Sequence, residues 1–205
     1  MTVLTTPQEV AAWLESLPLQ RILGIIGPPG SGKSTFAHEL STYLHMPHKV
    51  VPMDGFHYRQ DTLRAMNRRE RMGAADTFDT VALATLLRQV ISRSEPVIFP
   101  EFDRSIEEPV PGMILVHPSD ELIVLEGNYL LAEDDDWSKI GPLLDMSIYI
   151  DIPEVVRLER LLTRHLHFGK TASEAAEWIN RVDETNARII EATKPRASIV
   201  YQPAS

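Results

Sequence analysis

The chain has 205 residues, no cysteine and a formal net charge of −9. That length supports a single domain spanning 1–205 with a substantial core. The lack of cysteine excludes disulfides and thiolate metal sites, and the acidic balance argues against a nucleic-acid partner, which needs a basic footprint. No stretch approaches an apolar membrane span, and the Met1 to Thr6 stretch lacks the charged and apolar parts of a signal peptide. A cytoplasmic protein without a membrane partner is therefore expected, and its ligand is a small molecule whose negative charge is neutralised locally.

In chain order, Pro7 to Leu17 predicts a first helix, with Pro7 in its N-terminal turn and Val10, Trp13, Leu14 and Leu17 on one face. Ile22-Leu23-Gly24-Ile25-Ile26 then predicts a buried strand, and Gly27-Pro28-Pro29-Gly30-Ser31-Gly32-Lys33-Ser34 fills every position of the phosphate-binding pattern G-x-x-x-x-G-K-[ST]. The helix after it carries Phe36, Leu40 and Leu44 on one face, so strand, loop and helix follow in the order the pattern requires. Gly27, Gly30 and Gly32 let consecutive backbone N–H groups turn inward as an anion nest, with Ser31 and Thr35 in the same cradle. Lys33 reaches the β- and γ-phosphates in such loops, and the hydroxyl at Ser34 is a Mg²⁺ ligand.

His48 to Met53 predicts a second strand ending at Asp54-Gly55-Phe56-His57. Alone, Asp-Gly is a turn signal. Beside a P-loop, at the carboxyl end of a strand, Asp54 becomes the candidate base that orients an acceptor hydroxyl and takes its proton. Arg59, Arg64, Arg68, Arg69 and Arg71 form the densest basic run. Either it is a solvated helix face paired with acids, or it binds an anionic group on the acceptor, with Arg68 and Arg69 the test positions. Thr80 to Arg93 predicts a helix for which Asp79 suits the cap, which leaves Asp76 as an alternative hydroxyl-binding carboxylate.

Pro96 to Pro100 predicts a strand running into the polar and aromatic cluster Glu101-Phe102-Asp103-Arg104, and Pro109 to Pro118 a loop or short hairpin. Leu122-Ile123-Val124-Leu125 predicts a buried parallel strand ended by Glu126, where P-loop enzymes place an acid linked to Mg²⁺. An acid capping the next segment is the competing reading. Asn128 and Tyr129 follow as candidate crevice residues, and the acidic run from Glu133 to Asp136 as a solvated loop. After a strand from Met146 to Ile150, the helix from Glu154 carries Arg157, Arg160 and Arg164 at i, i+3 and i+7. This row resembles a mobile lid over about 154–172 that closes positive charge on a phosphoryl group, against the alternative of surface arginines on a packing helix. His165 and His167 lack metal-ligand spacing. Thr171 to Glu191 predicts a long helix, and Ala197 to Tyr201 a last strand or extended tail.

The P-loop, the Asp54-Gly55-Phe56-His57 and Asp76-Thr77-Phe78-Asp79 segments, Glu126-Gly127 and the arginine row occur in the order seen in the uridine kinase and phosphoribulokinase family, which the chain resembles over roughly residues 20 to 201. It is also similar to bacterial P-loop pantothenate kinase and to nucleoside kinase-like or sugar-kinase-like proteins carrying Met53-Asp54-Gly55-Phe56-His57 and Glu126-Gly127-Asn128-Tyr129. The resemblance implies an α/β fold, a P-loop NTPase with three layers, a mainly five-stranded parallel sheet and a helical lid. It further implies ATP with Mg²⁺ and transfer to a primary hydroxyl, and it is compatible with a homodimer. Carried over, Lys33 matches the phosphate lysine, Ser34 and Glu126 the magnesium positions, Asp54 the base, Arg157, Arg160 and Arg164 the lid arginines, and Phe102 a tyrosine near the nucleoside base. His57, Asp76, Asn128, Tyr129 and Arg68 complete the expected acceptor side. Gly73 stands where uridine kinases carry the aspartate that holds ribose hydroxyls, a departure from the pattern together with Phe102.

The expected activity is transfer of the γ-phosphoryl group of ATP to a nucleoside or sugar-like alcohol. A kinase of pantothenate or a sugar phosphate is the alternative that the arginine run favours. A nucleotide-dependent switch or metallochaperone is the alternative of another class, although no Asn-Lys-x-Asp guanine-reading segment is present.

Overall fold

The computed structural model describes residues 2–18 and 21–203. Met1 and Gln20, on which parts of the readings above fall, lie outside the described residues. In chain order the elements are β1 (Thr2–Leu4), α1 (Pro7–Glu15), β2 (Ile22–Ile26), α2 (Lys33–Ser41), β3 (His48–Pro52) and α3 (Gln60–Ala65). Then come α4 (Thr80–Ser92), β4 (Val97–Asp103), β5 (Glu108–Val116), β6 (Leu122–Glu126), β7 (Met146–Ile150) and α5 (Glu154–His167). The chain closes with α6 (Ala172–Trp178), a π-helical turn (Ile179–Asp183), α7 (Glu184–Glu191) and β8 (Ile199–Tyr201).

The main sheet has six strands in the order β1-β8-β7-β2-β6-β3, every pair parallel. The expected count of five is corrected by β1, which pairs with β8 from Thr2↔Ile199 to Leu4↔Tyr201. Three residues of strand give no alternation to read, and the partner that stabilises them lies at the other end of the chain. Side chains alternate strictly across the central strands. Ile22 and Ile26 of β2, Ile123 and Leu125 of β6 and Tyr149 of β7 pack on the side of α4 and α7. Leu23, Ile25, Leu122, Val124 and Ile148 pack on the side of α1 and α2. Buried strands apolar on both faces require helices on both faces, which produces the three layers.

The topology also gathers the site. Because β6 lies between β2 and β3, with Ile25 and Pro52 both in register with Glu126, the P-loop, Glu126 and Asp54 emerge side by side at one sheet edge. A second sheet is the antiparallel ribbon of β4 and β5, so the Pro109 to Pro118 stretch is the return strand of a hairpin. The ribbon meets the site where the backbone of Gly55 lies against Pro100, and a Cβ added at Gly55 would stand 2.3 Å from the Pro100 carbonyl oxygen. Gly127 likewise lies against Met53, where a Cβ would fall 2.6 Å from the methionine Cβ. Each glycine follows a candidate site acid, and each permits the contact that fixes that acid's turn.

Gly55→Ala must therefore push the ribbon from the β3 turn. We expect a loss of roughly 1–3 kcal/mol in unfolding free energy by urea titration, as for other overpacked interiors. Gly169→Ala is the comparison, since its Cβ would meet nothing within 4 Å and only its φ of +90° would resist the change.

Candidate active site

The P-loop turns on two glycines in the left-handed region, Gly30 at φ 82° and Gly32 at φ 90°, and Gly32 caps α2. The chain thereby delivers the N-terminus of α2 to the cleft, where helix dipole and unpaired N–H groups favour an anion. Ser31 Oγ is buried there with no hydrogen-bond partner among the described residues, while Thr35 is exposed on the first turn of α2. Lys33 Nζ donates to the carbonyls of Gly27 at 2.9 Å and Pro28 at 3.3 Å. Burial pushes its pKa down to about 8, against the opposing pull of Glu126 and Asp54.

Ser34 Oγ donates to Glu126 Oε1 at 2.8 Å. Glu126 is only 6% exposed, and burial followed by the nearby Asp54 charge raises its carboxyl above the usual range, with Lys33 and Ser34 resisting. Two hard oxygen donors, one in the first turn of α2 and one at the end of β6, suit a cation that takes oxygen ligands, Mg²⁺ among them.

Asp54 sits in a 3₁₀ turn, Met53–Phe56, at the end of β3. Burial works to raise its carboxyl, but His57, Arg104, Lys33 and Arg164 together hold it below the ordinary value. Burial also lowers the pKa of His57, so the imidazole adds little positive charge at neutral pH and the permanent cations do most of this work. Arg104 makes the direct contact, donating from Nη2 to Asp54 Oδ2 at 2.7 Å. The Asp54 carbonyl accepts from His57 N at 3.1 Å and lies 2.8 Å from His57 Nδ1. Nδ1 must carry the proton in that contact, which leaves Nε2 as an acceptor. The imidazole is held between Phe78, with ring centroids 4.0 Å apart, and Phe102, at 4.8 Å.

These groups line one cleft of about 600 Å³ that runs from Gly30, Lys33 and Ser34 past Asp54, Glu126 and Asn128 to His57, Phe78, Phe102 and the turn 104–107. Several expected residues do not reach it. Arg68 and Asp76 pair with each other, Nε to Oδ2 at 3.0 Å, and Arg71 joins the same carboxylate. Neither Arg68 nor Asp76 lines the cleft; the two pair with each other within a loop that turns at Gly73 (φ 98°). Asp79 is the cap, accepting from Ala82 N at 2.8 Å. Tyr129 is fully buried, and its hydroxyl donates to the Gly73 carbonyl at 2.8 Å instead of lining the crevice.

The three arginines on α5 also separate. Arg157 is 2% exposed, pairs with Glu184 at 2.5 Å and reaches the Pro29 carbonyl at 3.4 Å. Arg160 donates to the Ser31 carbonyl at 3.3 Å, and only Arg164 lines the cleft. A Cβ on Gly30 would stand 2.7 Å from the Arg157 carbonyl oxygen. The segment read as a lid is thus packed on the P-loop along its first turns, with Arg157 and Arg160 bracing the loop from behind.

No sequence pattern singles out Arg104 within its cluster, and His165 lacks metal-ligand spacing. The structure pairs His165 Nε2 with Asp183 Oδ2 at 2.8 Å at the cleft wall, and seats Phe168, Lys170 and Trp178 beside them. Contacts between positions 50 apart, such as Asp54 and Arg104, leave no local pattern to read.

A phosphate cradle, a neighbouring buried acid and a facing ionised aspartate at the carboxyl ends of parallel strands define a P-loop phosphotransferase site. The model of the phosphoribulokinase/uridine kinase family matches residues 22–205, and the chain belongs to that family. A Schizosaccharomyces pombe protein provisionally named a uridine kinase is 34% identical over 196 residues, covering 89% of this chain and 83% of that protein. The uncharacterised Escherichia coli protein YggC is 32% identical over 199 residues, covering 93% and 82%. A crystal structure from Silicibacter sp. TM1040, of a kinase ascribed to a fructose transport system, is 33% identical with a TM-score of 0.85, covering 96% of this chain and 98% of that one. The chain is accordingly an ATP-dependent phosphotransferase with an alcohol group as acceptor, which sets aside the switch and metallochaperone alternatives.

The lowered Lys33 pKa makes a prediction for stability. The unfolded lysine keeps its proton to about 10.5, whereas the folded one releases it near 8. Between about pH 8 and pH 10, below the range where unfolded tyrosine ionises, the unfolded state holds more protons and folding stability should rise with pH. Lys33→Met should flatten that rise in urea titrations of the nucleotide-free protein run across this range.

Proposed function

We propose that this enzyme transfers the γ-phosphoryl group of ATP, with Mg²⁺, to a hydroxyl of an uncharged polyhydroxy acceptor of nucleoside or sugar-like type. The observation that carries the acceptor class is the pairing of the arginines. Arg69 is bound to Glu107 at 2.5 Å, Arg68 and Arg71 share Asp76, Arg64 donates to Gln60 Oε1 at 3.0 Å, and Arg104 is bound to Asp54. An acceptor phosphate or carboxylate bound by any of these arginines would have to break its pair, which weighs against a sugar phosphate or pantothenate held by this run. Among the described residues no acceptor takes a hydrogen bond from the Arg164 guanidinium, which lines the cleft and acts on both Lys33 and Asp54, where transferring charge would need it.

In this reading the Asp54 carboxylate accepts the proton of the attacking hydroxyl. His57 Nε2 and Asn128 accept from or donate to neighbouring hydroxyls, and Phe78 and Phe102 present an apolar wall to a ring face. Ser34 and Glu126 would hold Mg²⁺, which would supply charge neutralisation at the triphosphate. Lys33 moves from its two loop carbonyls to phosphate oxygens, and the anion favours its charged form. The lowered pKa of Asp54 suits it to remain ionised at neutral pH before it receives the proton.

An ADP-release screen over nucleosides, sugars, sugar phosphates and pantothenate, with Lys33→Ala as control, tests the acceptor class. The expected outcome is turnover with uncharged polyols, and turnover confined to phosphorylated or carboxylated acceptors would overturn it. With the acceptor identified, Asp54→Asn should lower kcat by roughly 10²–10⁴ while ATP affinity stays nearly intact. Normal turnover in that variant would remove Asp54 from the role of base.

A further inference from the structure

Arg104 is the side chain that bonds directly to the Asp54 carboxylate among the described residues. It stands in the turn between β4 and β5, and that turn is clamped. Gln60 Nε2 donates to the carbonyls of Ile106 and Glu107, at 3.2 Å each, and the Gln60 backbone N–H donates to Glu108 Oε1 at 3.3 Å. Arg69, which donates from Nε to Gln60 Oε1 at 3.1 Å, also holds Glu107 at 2.5 Å. The guanidinium therefore comes to Asp54 from a fixed support, not from a loose loop. The other charged groups that act on Asp54 are His57 of its own turn, Lys33 of α2, Glu126 of β6 and Arg164 of α5, and none of these hydrogen-bonds its carboxylate.

A carboxylate able to activate an alcohol beside a γ-phosphate can activate water as well. In that side reaction a water oxygen forms the new bond to the γ-phosphorus while the bond to the β,γ-bridging oxygen breaks. The water proton passes to Asp54, and ADP leaves with the bridging oxygen. A water molecule brings no other contact with which to exchange a clamped guanidinium. An acceptor held by His57 and the aromatic wall does.

We propose that Arg104 is a positioning residue that occupies Asp54 Oδ2 and withholds this carboxylate from water, so that ATP turnover is coupled to the presence of an alcohol. The inference rests on Asp54 being the base. It gives Arg104 a purpose that neither phosphate binding nor acceptor contact requires, because the turn delivers one charge to one carboxylate 50 positions away.

The test needs no identified acceptor: ADP release from MgATP alone is measured for the wild type, Arg104→Met, Arg104→Gln and Arg104→Met/Asp54→Asn, with Arg88→Met as an exposed charge-matched control. Binding of a fluorescent ATP analogue checks that each variant retains its nucleotide site. Arg104→Met should hydrolyse ATP faster than the wild type by about tenfold or more, and the double variant should return to the wild-type rate or below. Arg104→Gln, which can still donate one neutral hydrogen bond, should fall between. A rate at or below wild type in Arg104→Met overturns the proposal. Should Arg104→Met lose nucleotide binding, the same result in Arg104→Gln does so. Fast hydrolysis that persists in the double variant also overturns it, since the gain would not pass through Asp54. Failure of the base assignment is read separately, from undiminished acceptor phosphorylation in Asp54→Asn alone.

Discussion

Two carboxylates and an ammonium can share one half-buried cleft only if their charges compensate, and the sheet order imposes that sharing. With β6 between β2 and β3, Glu126 is flanked by the P-loop on one side and the Asp54 turn on the other. Each carboxyl makes ionisation of the other less favourable, and burial adds to this for both. The environments then push the two acids apart. Glu126 is raised by burial and by Asp54, which its neutral hydroxyl partner and the Lys33 charge do not offset. Asp54 receives Arg104 directly, with Lys33 and Arg164 nearby, and is lowered. A pair of acids separated in this way can divide two tasks, one at the metal position and one at the acceptor proton.

The surrounding arginines serve the same balance. The chain carries a net charge of −9, so cations are scarce and their placement matters. Arg157 is buried between the P-loop and α7, where its pair with Glu184 ties the phosphate cradle to the far end of the chain. Removal of either partner would leave a charge in a poorly solvated place. Arg164, two helical turns further along α5, keeps its guanidinium for the cleft. A helix that looks uniform in sequence thus performs two jobs, bracing at its start and presenting charge near its end.

The P-loop, Asp54 and Glu126 were legible because each depends on a local pattern: glycines with fixed spacing, and an acid closing an apolar strand. Gly55 and Gly127 belong to the same category, although the reason for them, contact with Pro100 and Met53, lies outside their segments. The acceptor side was less legible. Arg68 and Asp76 are plausible ligands when read singly, but their loop turns them onto each other. Tyr129 sits three residues after Glu126 and yet points into the core, where its hydroxyl finds the Gly73 carbonyl. Periodicity tells which face of an element is apolar. It does not tell which polar residues on a loop will meet, and β1 shows the same limit for a strand of three residues.

Gly73 shows how that side of the cleft was built without a side chain. Its carbonyl accepts from Tyr129 Oη at 2.8 Å and from Asn186 Nδ2 at 3.2 Å, so two buried donors from separate parts of the chain fix the backbone of the loop. Its φ of 98° suits glycine, and a Cβ there would meet nothing within 4 Å. The conformation, not crowding, selects the residue. The consequence is a wall that is rigid and recessed, with the loop's carboxylate, Asp76, turned outward to the arginines. Under the proposed reading, hydroxyl recognition then falls to Asp54, His57 and Asn128, which line the same cleft. An acceptor bound in the proposed way would be selected by the spacing of its hydroxyls more than by the bulk of what it carries beyond them.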